Sequence, residues 1–363
     1  MLLRDLTIEN FRSFEKYRLS GLARVNLLVG DNNCGKTSVL EAISLLASEG
    51  DLPLLNHLLT LREDTAFVRT RGTDTARQQF SASSLIYRTR GTVAALESGT
   101  DPTVIVRGEN GEKSSEVRLK FSLRIGADPI AIEASDDPQS RMVIEYYENE
   151  ARVRQRSTAL SDVGLIGTQS EGPISLRKVD PVLFVPAGGL ATEQIANIWK
   201  TLIRRQHESY PIRALQIVDE RIRQLLPLPD TDFRRDILID RGGDRISLAE
   251  LGGGAYALLC LGCALGFTAG STLLLDEIDT GVHYSRLQAM WTMVIRAAQE
   301  LDIQVFATTH SLDCLRALDE ALASDSTTGS DIAIHRIERS LHQAVSLNSS
   351  QFGRAIARQS EIR

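Results

Sequence analysis

The feature that most constrains this chain is an eight-residue loop, Gly30-Asp31-Asn32-Asn33-Cys34-Gly35-Lys36-Thr37, set between an apolar run and an amphipathic one. Val25 to Val29 reads as a buried strand stopped by Gly30. Thr37 to Ser48 carries Val39, Leu40, Ile43, Leu46 and Ala47 at helical spacing, with Gly50 where a C-terminal cap belongs. Strand, glycine loop and helix within about thirty residues make one α/β unit. The loop satisfies G-x-x-x-x-G-K-[ST] in the context that motif requires. Gly30 and Gly35 let backbone N–H groups along Asn32, Asn33 and Cys34 close on phosphates, and the helix N-terminus at Lys36, Thr37 and Ser38 adds positive dipole. Lys36 reaches the β- and γ-phosphates and the Thr37 hydroxyl ligates Mg2+. The expectation is an ATP site.

Three further elements stand downstream. Leu273-Leu274-Leu275-Asp276-Glu277 is an apolar strand ending in two carboxylates, 240 residues beyond Lys36 (276 − 36). Ligands bind at that edge of open α/β sheets. Asp276 is expected to hold Mg2+ with Thr37, and Glu277 to polarise the attacking water; read alone, the pair is a strand-to-helix cap. Ser247 to Gly254 places Gly252, Gly253 and Gly254 at the opening of a long apolar helix, a second anion-binding N-terminus in a chain with one such phosphate loop. A head-to-tail dimer in which these glycines cap the γ-phosphate held by the other subunit resolves the surplus; a plain flexible loop is the alternative. Val305 to Ser311 is a buried strand ending in His310 and a helix-capping serine, and His310 is expected to contact the γ-phosphate.

These elements, in this order, resemble the ABC-type ATPase heads of the RecF/SMC group, and within it the stand-alone AAA-type ATP-binding proteins related to the OLD (overcoming lysogenization defect) nucleases. The resemblance rests on Ile8 to Phe14 (IENFRSF), GDNNCGKTS, LGGG, LLLDEIDTGVHYS at 273–285 and ATTHS at 307–311. It frames the whole chain and is specific over those motifs. It implies that Asp279, in the D-loop, lies across a dimer interface and that Arg12 approaches the nucleotide. The chain departs from the pattern in three places. Gly252 or Gly253 replaces the signature serine, Cys34 replaces a smaller residue, and no glutamine matches the Q-loop.

The rest of the chain organises around these motifs. From about 80 to 156, short alternating runs at 103–108, 116–125 and 142–156 predict antiparallel strands, 157–178 a loop, and 182–185 a buried strand. Residues 191–226 carry helical periodicity with Arg204, Arg205, Arg213, Arg221 and Arg223, read as a solvated face. Gly242-Gly243 predicts a hairpin turn. The last third alternates: helix 255–267, strand 272–276, helix 284–300, strand 304–309, helix 311–323, strand 332–338. Ala255 to Leu275 is an uncharged 21-residue run, but Gly266, Gly270 and Ser271 interrupt it, so a buried helix and a buried strand are expected in place of a membrane span. Cys260 and Cys263 read as packing inside that helix. Cys34, at a helix N-terminus in an electropositive loop, is expected to be a reactive thiol of lowered pKa.

The resulting fold class is α/β, a P-loop NTPase of ABC-ATPase head type with an antiparallel β lobe and a short helical arm. The expected parts are residues 1–80, the N-terminal part of the head; 81–190, a β-rich insertion; 191–235, the arm; and 236–363, the C-terminal part with signature-like loop, Walker B, D-loop and switch histidine. No heptad run between Lys36 and Asp276 supports an SMC-type coiled coil. Four scattered cysteines and the absence of a signal-peptide pattern point to the cytoplasm.

The expected activity is ATP hydrolysis, with ATP and Mg2+ as cofactors, and the expected assembly is an ATP-dependent head-to-tail homodimer or a higher oligomer. About fifty residues follow His310 and hold no acidic cluster for two metals, so a separately encoded effector, such as a TOPRIM or HNH nuclease or a toxin, is the expected partner in a phage-defence or mobile-element system. The other class is a RecF-like DNA-repair ATPase that clamps DNA. A formal charge of −6 leans toward the first, with DNA as a further ligand and no membrane.

Overall fold

Every residue of the strand before the glycine loop is buried, and alternate residues feed two different cores. The computed structural model describes residues 2–62, 65–69, 76–80, 85–87, 102–122, 140–161, 164–169, 182–227, 237–324 and 331–357. The hairpin of β1 (Asp5–Phe11) and β2 (Phe14–Ser20) is followed by β3 (Val25–Val29), α1 (Lys36–Ala47) and α2 (Leu52–Leu61). Val25, Leu27 and Val29 enter one hydrophobic cluster and Leu28 the other, as a period of two dictates. A short pair, β4 (Thr65–Arg69) and β5 (Ala76–Phe80), comes next.

β6 (Thr103–Glu109), β7 (Ser114–Ser122), β8 (Ser140–Glu148), β9 (Ala151–Ser161) and β10 (Gly164–Gln169) extend the sheet that β1 began. Its order is β10-β9-β8-β7-β6-β1-β2, antiparallel at each junction. The inner residues Val104, Val106, Val117, Leu119 and Ile144 share a core with Val39, Ile43 and Leu46 of α1. Half-buried ion pairs fix this lobe to the corner after α1: Arg154 to Glu49 at 2.8 Å and Arg156 to Asp51 at 3.0 Å.

The second sheet draws on the remaining chain. β11 (Leu183–Val185) leads through α3 (Thr192–Arg205) and α4 (Ser209–Gln216) to a three-stranded meander, β12 (Gln224–Pro227), β13 (Ile237–Asp240) and β14 (Arg245–Ser247). Then come α5 (Gly253–Phe267), β15 (Thr272–Leu275), α6 (Leu287–Glu300), β16 (Gln304–Thr308), α7 (Leu312–Ser324), β17 (Ile332–Arg336), β18 (Val345–Asn348) and α8 (Ser349–Ala357). The order is β11-β15-β16-β3-β17-β18, parallel except at β18. Leu273, Leu275, Val305 and Ala307 face the helical side, Leu274 and Phe306 the α1 side, which is why these strands are continuously apolar. Parallel pairing brings the C-terminal ends of β3, β15 and β16 to one edge.

Two segments differ from the sequence reading. The stretch read as a loop from 157 holds the end of β9 and all of β10; the polar Ser157, Thr158 and Ser161 are carried by ladder pairing at the sheet's edge, with a register shift between Ile166 and Thr168, and not by apolar alternation. The helical reading of 191–226 ends at Gln216. Asp219 accepts the Arg221 backbone N–H and guanidinium and turns the chain, after which Gln224–Pro227 pairs with β13. Residues 123–125, 162–163 and 170–178 of the sequence reading lie outside the described residues. The 21-residue apolar run divides into α5 and β15, and among the described residues no helix is long and apolar enough to cross a membrane.

Candidate nucleotide site

The loop after β3 demands glycine at two points. Gly30 has φ 142°, and a Cβ there would lie 2.5 Å from the Ile337 carbonyl oxygen. Gly35 has φ 109°, and its Cβ would meet the Phe14 ring at 2.5 Å. Both backbone handedness and space exclude a side chain. Phe14, from the β1–β2 hairpin, thus forms the floor of the loop.

α1 opens on Lys36-Thr37-Ser38 with no acidic residue in its first turn, leaving its N–H groups and dipole for an anion. Lys36 is buried, its Nζ donating to the carbonyls of Gly30 and Asp31 at 2.8 Å each. The Thr37 hydroxyl donates to Asp276 Oδ2 at 3.0 Å. Because β16 lies between β15 and β3, Thr308 at its end stands beside Asp276: its hydroxyl donates to Asp276 Oδ1 at 2.7 Å and accepts the Glu277 N–H at 2.8 Å. Glu277 holds a left-handed backbone, φ 50°, uncommon for a residue with a side chain. Its carboxylate accepts from Thr280 Oγ1 at 3.3 Å and lies 3.5 Å from His310 Nδ1.

Asn32, Asn33, Gly35, Lys36, Thr37, Ser38, Asp276 and Glu277 line one cavity of about 370 Å3. Gly252, Gly253 and Gly254 do not line it; Gly253 borders an adjoining recess of about 190 Å3 that also reaches Asp276 and Glu277. Gly252 and Gly253 are exposed at the start of α5. Asp279 does not line the cavity and accepts from Thr309 Oγ1 at 2.6 Å. Arg12, with φ 52°, has its guanidinium on Glu41 of α1, 3.0 Å from Nε to Oε2, and does not line the cavity.

Cys34 requires a correction. It is buried within the α1-side core, and burial pushes its thiol up, outweighing the downward pull of Lys36. An electropositive loop does not activate a thiol that points into hydrocarbon. Cys260 and Cys263 are also buried, in the other core, and burial raises the Cys263 thiol well above its ordinary value.

Several cavity residues escape sequence reasoning. Arg62, at the end of α2, donates to Glu41 Oε1 at 2.7 Å, and both line the cavity. Their sequence separation, with no motif around Arg62, gave no signal. Phe184 and Pro186, at the end of β11, close the side facing Asp276; the β11–β15 pairing places there a Pro-Ala-Gly-Gly turn, with no side chain able to ligate a metal. Thr308 and Thr309 lie inside the quoted ATTHS segment, but only His310 carried a recognisable chemistry.

The donor set, a hydroxyl and a carboxylate, suits a hard cation completed by phosphate and water oxygens. Among the described residues no cluster of three or more His, Cys, Asp or Glu would hold a metal by protein ligands alone.

A family model described as "AAA domain, putative AbiEii toxin, Type IV TA system" matches residues 25–315, from the start of β3 into α7. The chain belongs to this AAA-domain family. It is a P-loop ATPase of AAA type. Similar curated proteins include a Helicobacter pylori "ATP/GTP phosphatase", 20% identical over 344 residues and 88% of each chain. A "DNA replication and repair protein RecF" of Bacillus cereus is 33% identical over 72 residues, 20% of this AAA-domain chain and 19% of its own. Among solved structures, an SMC head bound to the C-winged helix domain of ScpA overlaps 96% of this chain and 98% of its own at 14% identity, with TM-score 0.49. An SMC head domain from Thermotoga maritima overlaps 96% and 99% at 15% identity, with TM-score 0.47.

Proposed function

We propose that ATP joins two copies of this ATPase head to tail, and that the resulting cycle of closure and release controls a separately encoded effector. The observation that carries the reading is the position of the triple glycine. A helix N-terminus with open space around Gly253 stands outside the chain's own phosphate cavity, exposed and free to meet another molecule's phosphate. The family's printed description, "AAA domain, putative AbiEii toxin, Type IV TA system", supports a toxin–antitoxin or other mobile-element setting, to which the phage-defence and OLD-like reading is our addition.

The chemistry follows from the residues at the sheet edge. Lys36 exchanges the Gly30 and Asp31 carbonyls for the β- and γ-phosphates, a stronger charge-assisted pairing. Thr37 and Asp276 would hold Mg2+, which when bound would neutralise phosphate charge. Glu277 orients and deprotonates the attacking water, His310 beside it meets the γ-phosphate, and Asp279 faces the partner. Arg12 acts on the nucleotide through Glu41 and the first turns of α1, since its guanidinium is engaged there.

The test mixes two inactive variants, Lys36→Ala and Gly253→Glu. A Cβ at Gly253 meets nothing within 4 Å, so the second change leaves the monomer intact while setting a carboxylate against the partner's phosphate. A mixed dimer keeps one undamaged composite site, so mixing restores part of the activity. A mixture as inactive as its components refutes the composite site.

The 72-residue match to RecF favours a second reading, a DNA-clamping repair ATPase. Its mark is ATP-dependent binding to duplex DNA that falls steeply with salt. Binding to an effector without any DNA affinity decides for the first reading.

A further inference from the structure

Two adjacent hydroxyls at the end of β16 have no role in the reading above, and both do the same thing. Thr308 and Thr309 are fully buried. Thr308 Oγ1 accepts the Glu277 N–H at 2.8 Å and donates to Asp276 Oδ1 at 2.7 Å. Thr309 Oγ1 accepts the Ser311 N–H at 3.0 Å and donates to Asp279 Oδ1 at 2.6 Å. An N–H only donates and an ionised carboxylate only accepts, so each hydroxyl has one possible polarity and cannot turn away without breaking both bonds. The Ile278 N–H, between the two carboxylates, bonds the Thr308 carbonyl at 3.1 Å. Residues 276–279 are therefore laced to 308–309 by four hydrogen bonds, three of them through the two threonine side chains.

We propose that Thr308 is the positioning residue of the metal-binding carboxylate. Asp276 has two hydroxyl partners, Thr37 and Thr308. Thr37 gives an oxygen lone pair to the cation when the metal is bound, so its position is set by the metal as well as by Asp276. Thr308 has no part in ligating the metal, so its hydroxyl orients Asp276 whether or not the site is loaded, and its bond is the shorter of the two. By taking the Glu277 N–H, the same hydroxyl fixes the left-handed backbone from which the Glu277 carboxylate reaches His310. Thr309 does the equivalent for Asp279 and has no bond to Asp276, so it serves as the internal control.

The inference rests on the reading of Asp276 as the metal carboxylate, and the experiment separates the two. Mn2+, a paramagnetic substitute for Mg2+, is titrated into the full chain saturated with ATP and followed by electron paramagnetic resonance; ATP affinity without metal is measured by calorimetry. Thr308→Val, which replaces the hydroxyl with a methyl, weakens Mn2+ binding about 10- to 100-fold, the usual effect of losing an outer-shell partner, and leaves metal-free ATP affinity unchanged. Thr308→Ser stays within about threefold of the wild type, as does Thr309→Val. Should Thr308→Val not fold, Thr308→Ala removes the same hydroxyl without adding a methyl. Asp276→Asn calibrates the assay. If it leaves Mn2+ affinity intact, the metal-site reading falls and the inference with it. If Asp276→Asn weakens Mn2+ but the hydroxyl-less variant does not, or if Thr308→Ser is damaged as much as Thr308→Val, the inference alone is overturned.

Discussion

The strands β3 and β16 each carry a buried polar side chain near the start, and the two ends of their sheet behave differently. At their starts, Asn26 and Gln304 are buried and closed upon local backbone. Asn26 accepts the Ala23 N–H and donates to the Ala23 carbonyl at 2.8 Å each, while Gln304 exchanges two 2.8 Å bonds with Leu3. Neither residue has a positive φ, and neither of the two cavities at the nucleotide site reaches them. At the C-terminal edge, where β3, β15 and β16 end together, Gly30 and Glu277 take positive φ, Lys36 rests on carbonyls a phosphate would replace, and a cavity lies open. Buried polarity alone therefore does not mark a site. Strain beside a cavity, with donors held by exchangeable partners, does.

Substitutions at the two ends separate the kinds of polarity. The largest effect is expected from Glu277→Gln, which keeps ATP binding and loses about 10²–10⁴ in turnover because an amide is no base; wild-type turnover in that variant assigns the water to another group. Lys36→Ala follows, weakening ATP by about 100-fold or more, about 2.7 kcal/mol, in calorimetry. Undiminished affinity breaks the assignment of the phosphate loop. At the other end, Asn26→Ala strips a buried partner from Ala23 and costs about 2 kcal/mol in urea unfolding, with ATP affinity unchanged. A matching fall in ATP affinity in that folded variant means that the two ends are coupled and the contrast does not hold.

The legible parts of the sequence are those in which one residue type has one physical use. G-x-x-x-x-G-K-T names its own backbone geometry, and Leu273-Leu274-Leu275 followed by two acids names a buried strand and its edge. The helix–strand rhythm of the last third was readable for the same reason. Less legible was anything set by pairing across the chain. β10 and β12 are strands because β9 and β13 offer them edges, which no local pattern announces. Arg12 lies on Glu41, and Arg62 joins them, because α2 folds back over α1. Thr308 meets Asp276 only because β16 lies between β15 and β3, which the sequence does not announce. Cys34 failed by direction: the loop's charge was readable, whereas the side chain's turn into the core was not.

The smallest effect is expected to be a slope. His335 of β17 is fully buried, with Nδ1 2.8 Å from Ser346 Oγ and Nε2 3.3 Å from Asn26 Oδ1. Burial lowers its pKa from 6.5 to about 4. Between those values the unfolded chain binds a proton that the native state does not, so stability contributed by the neutral ring is complete above pH 6.5 and is lost as pH falls toward 4. The slope approaches about 1.4 kcal/mol per pH unit for one proton. Urea midpoints of the wild type should therefore drop between about pH 7 and pH 5 by more than those of His335→Gln, which has no proton to take up. The glutamine variant starts lower, because its amide cannot reproduce both ring contacts, but its profile is flatter. Parallel profiles would mean that the pH dependence comes from other groups and not from His335.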